Sequence, residues 1–342
     1  MSETSKLTAS NVNISQKLVF GRLTAAERDS YFAANPPEIG LLIFNDDDKV
    51  LEMWNGTEWL LVLGDRTGGG GGVLYEFSSV TFNAGTSGPT GPNLTQVVSQ
   101  IQGNDAWKSN TEYLDVANGI ITWTVPERGD YKIECKGAQG GQSFGWGPQG
   151  GTGASASGTF KLRTNDKLKI CIGQRGTGNY YDGGGGGGSF VTMADNTPLV
   201  CAGGGGGGSA SGMNGPGPYD GSASEQGGST AWFTGGTSGN GGGGGGAGGG
   251  GGLTGNGGGS YAGQSFTNGA VGGPNASGGF GGGGGGGGTY GAGGGGGYGG
   301  GGASYWSFFG SGGGSYVSSE GTNAQKQQGG TSGNGQVIIT KV

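Results

Sequence analysis

The stretch Pro198-Leu199-Val200-Cys201-Ala202 continues directly into six glycines, residues 203–208. The apolar part is typical of a β-strand. Glycine is disfavoured in strands and helices, because ordering it costs more conformational entropy than ordering any other residue. A strand that runs into consecutive glycines therefore indicates a second kind of structure next to the strand. Similar glycine runs occupy residues 183–188, 241–246, 248–252, 281–288, 293–297 and 299–302.

The glycine runs have two alternative structures. As linkers they would be flexible. As polyglycine II, an extended threefold helix without internal hydrogen bonds, they would pack side by side and bond through their backbone groups. The 96 glycines of the 342 residues come in runs, which excludes collagen, and seven Trp, 12 Tyr and 13 Phe argue against disorder. We therefore predict a polyglycine II bundle, inserted at about residues 203–335, where 63 of 133 residues are glycine.

The residues around these runs predict β-structure. Tyr131–Lys136 alternates strictly between apolar and charged side chains, as a half-buried strand does. Further strands are predicted at Ile120–Val125, Gly158–Leu162, Lys167–Gly173, Phe190–Met193, Leu199–Ala202 and Gln336–Val342. Short strands separated by turns favour a mainly β fold, as an antiparallel sandwich or jelly roll.

A smaller module precedes this region. Thr24 and Glu27 have the spacing of a capping box, which predicts a helix over residues 25–34 that stops before Pro36. A three-stranded β-meander is predicted next, at residues 39–45, 49–54 and 59–62, with a turn at Asn55-Gly56. The meander is too small to hold an apolar core alone. We expect it to bury its face against other copies of the chain or against a larger assembly, and we predict a homotrimer.

Composition disfavours several classes of function. Histidine is absent, which removes Ser-His-Asp catalysis, Cys-His catalysis and imidazole metal ligands. Cys135, Cys171 and Cys201 lack CxxC spacing and are predicted to be buried thiols. The net charge of −6, without clustered Lys and Arg, disfavours nucleic acid as a partner. We therefore predict no catalytic residue, metal or cofactor. A polysaccharide depolymerase is the enzymatic alternative, which the lack of histidine and of clustered carboxylates disfavours.

The sequence gives no indication of a signal peptide, a membrane-spanning segment or a calcium loop. The first ten residues are polar, so no signal peptide is expected. No stretch approaches about 18 consecutive apolar residues, so no membrane insertion is expected. Asp46-Asp47-Asp48 lacks the ligand spacing of a calcium loop, which favours a solvated turn.

The small module carries three recognisable motifs. They are Leu23-Thr24-Ala25-Ala26-Glu27-Arg28, Gly40-Leu41-Leu42-Ile43-Phe44-Asn45 and Trp54-Asn55-Gly56-Thr57-Glu58-Trp59. Together they resemble a module repeated in phage fibres and other virion surface proteins, which reads LT-x-x-x-R, G-x-x-x-(Y/F)-N and NG-x-W; here two residues separate the glycine from Trp59. The resemblance implies contacts with other virion proteins and a location at the virion surface. We divide the chain into residues 1–66 for attachment and oligomerisation, a glycine linker at 67–72, and a glycine-rich domain at 73–342.

A second set of motifs follows in a fixed order. It comprises Tyr75-Glu76-Phe77, Gly119-Ile120-Ile121-Thr122-Trp123-Thr124-Val125-Pro126, Gly137-Ala138-Gln139-Gly140-Gly141, Gly158-Thr159-Phe160-Lys161-Leu162, Ile172-Gly173-Gln174-Arg175-Gly176, Pro198-Leu199-Val200-Cys201-Ala202-Gly203 and Gly335-Gln336-Val337-Ile338-Ile339. This order resembles the glycine-rich domain in the extracellular part of anaplastic lymphoma kinase and leukocyte tyrosine kinase. The resemblance implies a tumour-necrosis-factor-like jelly roll with an inserted bundle of polyglycine II helices. The cysteine pattern of those receptors is missing, so we expect a different cellular setting.

Aromatic residues lie between the glycine runs of the predicted insertion. They either cap the bundle or form an exposed binding tip, since loops on a rigid scaffold commonly carry recognition. The predicted receptor-binding residues are Trp232, Phe233, Tyr290, Tyr298, Tyr305, Trp306, Phe308 and Phe309. If these residues form a binding tip, we expect a phage fibre or adhesin that binds a glycan or protein of the host surface. The alternative is a purely structural virion component, such as a capsid decoration or a fibre without a receptor role.

Overall fold

Strands dominate the computed structural model of this chain, as predicted from the sequence. It describes residues 21–33, 36–46, 50–63, 73–103, 105–145, 149–210, 219–288, 291–305 and 308–342, except for the side chain of Leu61. The chain divides into two units, Met1–Gly71 and Gly72–Val342. The predicted linker glycines at 68–72, the turn residues Asp47 and Asp48, and the predicted helix end at residue 34 lie outside the described residues.

The first unit begins its helix where the capping box predicts it. Helix α1 spans Ala25–Ala33. The Thr24 backbone N–H donates to Glu27 Oε2 at 2.9 Å, and the Glu27 backbone N–H donates to Thr24 Oγ1 at 3.2 Å. Both bonds satisfy N–H groups that the first turn of a helix leaves without partners, so the capping box is confirmed.

The sheet of the first unit has one strand more than the predicted meander. Its strands are β1 Gly21–Leu23, β2 Leu42–Asn45, β3 Val50–Trp54 and β4 Trp59–Leu63, in the order β1-β2-β3-β4. Strands β2 to β4 form the predicted antiparallel meander, whereas β1 pairs with β2 in parallel. The sequence prediction of three strands was incomplete, because a three-residue strand is too short to show alternation.

The described part of the first unit buries little apolar surface. Helix α1 contributes no buried residue. Ile43 and Leu51 are buried, whereas Tyr31 and Ile39 are largely exposed. An ion pair of 2.6 Å between Arg28 Nη1 and Glu52 Oε2 joins the helix to β3.

The second unit contains two antiparallel sheets that share one core. The six-stranded sheet has the order β13 (Tyr316–Val317), β12 (Pro198–Ala202), β11 (Ser189–Met193), β10 (Lys167–Cys171), β7 (Ile120–Thr124) and β6 (Leu114–Ala117). The five-stranded sheet has the order β14 (Thr322–Thr331), β9 (Gly153–Leu162), β8 (Gly129–Lys136), β15 (Gln336–Lys341) and β5 (Ser79–Asn83). Helix α2, Leu94–Gln100, follows β5 and begins at a capping box of Asn93 and Gln96.

Alternation along the strands builds the core between these sheets. Trp123 of β7 meets Tyr131 of β8, with ring centroids 6.2 Å apart, and both residues are fully buried. Ile133 of β8 and Ile339 of β15 are register partners and are fully buried as well. The charged residues of β8 point the other way, as the strict alternation predicted.

The predicted insertion at 203–335 is too long at its C-terminal end. Strands β13 and β14 lie inside that range, and both belong to the sandwich. The glycine-rich excursion that leaves at Ala202 therefore returns at Tyr316. The prediction failed because β14 is polar and mostly exposed, so it has no apolar alternation to reveal it.

Candidate functional site

The glycine run 203–208 leaves the sandwich directly after β12 and bonds only to other segments. The backbone N–H groups of the run donate to carbonyls in three directions. Gly204 and Gly207 donate to Gly296 and Gly293, and Gly205 and Gly208 donate to Ala138 and Gly141. Gly206 donates to Tyr219. The backbone carbonyls of the run accept from N–H groups in three further directions. Gly204 and Gly207 accept from Gly313 and Gly310, and Gly205 and Gly208 accept from Gly186 and Gly183. Gly206 accepts from Gly151. All these donor–acceptor distances lie between 2.8 and 3.1 Å. The run is therefore surrounded by six chain segments.

These bonds repeat every three residues. Positions 204 and 207 face the same neighbours, and positions 205 and 208 face another pair. Successive N–H groups therefore point in three directions around the segment axis. Buried backbone groups need partners, and here neighbouring backbones supply them without a helix or a strand ladder.

The glycine segments lie so close together that most of their positions have no room for a side chain. A Cβ atom built on Gly206 would lie closer than 3.0 Å to the carbonyl oxygen of Gly310, and one on Gly284 would lie equally close to that of Gly248. Real Cβ atoms do not approach backbone so closely. Gly246 differs, since nothing lies within 4 Å of a Cβ placed there.

One end of the glycine segments is fastened to the sandwich by apolar packing. Cys171, Phe190, Cys201 and Tyr316 are cross-strand neighbours on four adjacent strands, and they form one row on the outer face of the six-stranded sheet. Loops between glycine segments cover this row with Leu253, Phe266, Phe280 and Tyr298. The rings of Phe190 and Phe266 stack at 5.2 Å, and those of Tyr298 and Tyr316 at 4.4 Å.

The other end, called the far end here, is where segments that leave the sheets turn back. Residues 137–141 lead away from β8, and the chain returns to β9 at Gly153. Residues 173–178 lead away from β10, and the chain returns to β11 through residues 183–188. Residues 299–302 lead away from Tyr298, and residues 310–314 return to β13. Gly208 donates its N–H to the Gly141 carbonyl, and Gly310 donates its N–H to the Gly207 carbonyl. These turns therefore lie at the same end.

Trp232 and Phe233 lie in a braced loop at the far end. The Thr230 hydroxyl donates to the carbonyl of Ala303 at 2.8 Å and accepts from the Phe233 N–H at 3.1 Å. The Thr230 N–H also donates to the Phe233 carbonyl at 2.9 Å. The loop at 229–234 is thus fixed in shape and held beside the loop at 303–309, while Trp232 itself is 41% exposed.

The neighbouring loop contributes three of the other predicted aromatics. Phe308 packs against Trp232 with ring centroids 4.8 Å apart, and Phe309 packs against Tyr219 at 4.7 Å. Tyr305 is 43% exposed, whereas Phe309 is buried. The Ser304 hydroxyl accepts from the Ala292 N–H at 2.9 Å and donates to the Phe308 carbonyl, which links Ser304 to both residues.

The predicted residues therefore divide into separate places. Trp232, Phe233, Tyr305, Phe308 and Phe309 lie on two neighbouring loops at the far end, where Trp232 contacts Phe308, and we call them the Trp232 cluster. Tyr298 lies at the opposite end of its glycine segment, against the sheet, where it packs as a structural residue. Tyr290 and Trp306 are outside the described residues.

A second group of exposed aromatics at the far end was missed from the sequence. Phe144 is 68% exposed, Tyr180 55% and Tyr181 40%. Their turns are joined by backbone bonds of 2.9 Å from Phe144 N–H to the carbonyl of Asn179 and from Gly145 N–H to that of Tyr180. Aromatics flanked by glycine segments were the available signal, and it was applied only to residues 203–335.

The far-end loops are rich in aromatic, hydroxyl and amide side chains and poor in charge. The loops at 142–149, 177–182, 229–235 and 303–309 contain one charged residue, Asp182, which is fully buried. Their polar side chains are the Ser, Thr, Asn and Gln residues of the printed sequence. These four loops therefore present no exposed charged side chain.

Carboxylates gather instead at the end of the sandwich away from the glycine segments. A groove of about 320 Å³ is lined by residues that include Asp130, Asp166 and Glu320. Asp130 lies 3.3 Å from Lys161 Nζ, and Asp166 accepts from the Arg163 N–H at 2.7 Å. Burial raises the pKa of the Asp166 carboxyl. Asp130 and Asp166 thus have structural partners within the sandwich.

The cysteines are buried thiols, as predicted. Cys135, Cys171 and Cys201 are all free and fully buried. Burial raises the pKa of each thiol well above its ordinary value. No group of three or more Cys, Asp or Glu residues in the described ranges is arranged to hold a metal ion. Within the same ranges, no helix is both long enough and apolar enough to cross a membrane.

Comparison with known protein families finds no family that matches this chain.

Proposed function

We propose that this protein is a surface fibre or adhesin of a phage particle and that it binds a host cell surface through its far-end loops. Residues 1–66 attach the chain to other virion proteins, and residues 73–342 display the loops. The observation that carries the proposal is the exposure of Trp232 and Tyr305 on braced loops, because a soluble protein rarely exposes clustered aromatics without a partner.

Residues 73–342 form, in this proposal, a tumour-necrosis-factor-like jelly roll that carries a polyglycine II bundle. The shared core of the two antiparallel sheets supports the jelly roll. The three-residue repeat of hydrogen bonds and the six neighbours of residues 203–208 support polyglycine II, whose threefold helix bonds only to other helices. The motif order, which resembles the glycine-rich domain of anaplastic lymphoma kinase and leukocyte tyrosine kinase, agrees with both.

The first unit assembles, in this proposal, as a homotrimer. Its described residues bury little apolar surface, and Tyr31, Ile39, Leu60 and Val62 are exposed. A unit with so small a core gains stability by covering such side chains with a second copy.

Binding of the labelled full-length chain to a panel of bacterial strains tests the adhesin function. We expect saturable binding to some strains, reduced roughly 10- to 100-fold by Trp232→Ala, as is typical of an interface hot spot. The matched control is Lys326→Ala on β14, which leaves the far end unchanged. A chain that binds no strain, and that images of the particle place flat against the capsid, would establish the purely structural role instead.

A further inference from the structure

We infer that the Trp232 cluster binds an uncharged carbohydrate. This inference rests on the proposed function and names the class of ligand at the same site. The proposed function by itself does not decide whether the receptor is a protein or a glycan.

The first argument is the absence of exposed charge. Around the cluster, the loops at 229–235 and 303–309 contain no charged residue. Charged residues make up about a quarter of an ordinary protein, so a protein partner would bring charges to this surface. Those charges would lose water without gaining an ion pair, which is costly. An anionic polymer meets the same difficulty, since no Lys or Arg is present in these loops.

The second argument is the shape of the exposed apolar surface. The Trp232 ring lies beside the Phe308 ring at an interplanar angle of 39°, and Tyr305 exposes part of its ring on the same loop as Phe308. The C–H groups on one face of a sugar ring carry partial positive charge, which matches the negative face of an aromatic ring. Flat rings therefore bind the apolar face of a sugar without help from a charged side chain.

The third argument is the kind of polar group around the rings. Ser229 and Thr234 lie three residues before and two residues after Trp232, and both are exposed. The Ser229 hydroxyl accepts from the Gly235 N–H at 2.9 Å. Neutral hydroxyl and amide groups match sugar hydroxyls, because both sides donate and accept. Thr230 is a positioning residue here: its hydroxyl is used in holding the loop, through Ala303 and Phe233. A preformed loop loses little conformational entropy on binding.

The test uses a strain that binds the labelled full-length chain. One portion of cells is treated with periodate, which cleaves vicinal diols of sugars, and a second portion with proteinase K. We expect periodate to abolish binding and proteinase K to leave it unchanged. Binding should change less than about twofold between about 0.01 M and 1 M salt, over which the Debye length falls from about 30 Å to about 3 Å.

Variants connect the result to the cluster. Trp232→Ala should lose binding to the untreated cells roughly 10- to 100-fold, whereas Trp232→Phe should retain most of it, because a flat apolar ring remains. Protease resistance of each purified variant shows that it is folded, which we expect because Trp232 is at the surface.

The outcomes separate this inference from the proposed function. Binding that survives periodate and is lost after proteinase K identifies a protein receptor and overturns the carbohydrate, while the adhesin stands. Binding that falls steeply with salt identifies a charged ligand and also overturns it. A chain that binds no strain removes the adhesin function, and the carbohydrate with it.

Discussion

Gly284 shows at the level of one residue why most positions of the glycine segments tolerate no side chain. Its N–H donates to Gly294 at 2.8 Å, and its carbonyl accepts from Gly185 at 2.8 Å. A methyl group would meet the Gly248 carbonyl, so the segments must separate and leave backbone groups unpaired at about 1–3 kcal/mol each. We expect Gly284→Ala to lower the melting temperature and to expose the glycine segments to protease. Gly246→Ala is the matched control, since its Cβ meets nothing. Equal resistance of both variants would mean that the segments are not packed.

Burial of individual thiols makes the free energy of unfolding depend on pH. In the unfolded chain a thiol loses its proton above about pH 8.5, whereas burial keeps Cys171 and Cys201 protonated far beyond that pH. The folded state then holds more protons, so the free energy of unfolding falls by up to ~1.4 kcal/mol per pH unit for each thiol. Burial also raises the pKa of Tyr131 to about 12, which adds to the loss above about pH 10.

Urea unfolding of residues 73–342 at several alkaline pH values measures this dependence. The thiol contribution to stability should be constant below about pH 8 and decline above it, and the Cys201→Ala variant should lose stability less steeply than the unsubstituted chain. Rapid reaction of the native thiols with a thiol reagent at neutral pH would contradict their burial.

Phe190 connects two elements, the six-stranded sheet and the glycine segments. It lies between Cys171 and Cys201 on the outer face of the sheet and stacks on Phe266. Phe190→Ala leaves a cavity in this contact and should cost about 3–5 kcal/mol. Limited proteolysis should then begin in residues 241–288, before the sandwich is cut. The exposed Trp232→Ala variant is the control, and a similar loss of stability in both would show that Phe190 is not a specific attachment.

The division into two units leads to a prediction for the whole molecule. The second unit has its own core and its own backbone-bonded segments, so removal of residues 1–65 should leave it soluble, folded and able to bind cells. The truncated chain should fail to join particles, and native mass measurement should find three copies of the full chain but one copy of the truncated chain. Normal incorporation into particles, or a monomeric full chain, would contradict the role proposed for the first unit.

The sequence by itself determined the local elements. The Thr24 capping box, the alternation of residues 131–136 and the apolar segments around each cysteine are all read from neighbouring residues, and the structure contains them. It also determined that glycine segments adjoin strands, since Ala202 and Gly203 are consecutive.

Only the tertiary structure decided which segments meet and at which end. Tyr298 and Trp232 are both aromatics between glycine segments, yet one packs on the sheet and the other is exposed at the far end. Local sequence carries no signal for this difference, because a glycine run has no side chains to specify its neighbours. Their placement depends on long-range backbone bonds, such as that from Tyr298 N–H to the Gly314 carbonyl. The Tyr180 and Phe144 turns, which glycine segments also flank in the sequence, become one surface only when Phe144 pairs with Asn179.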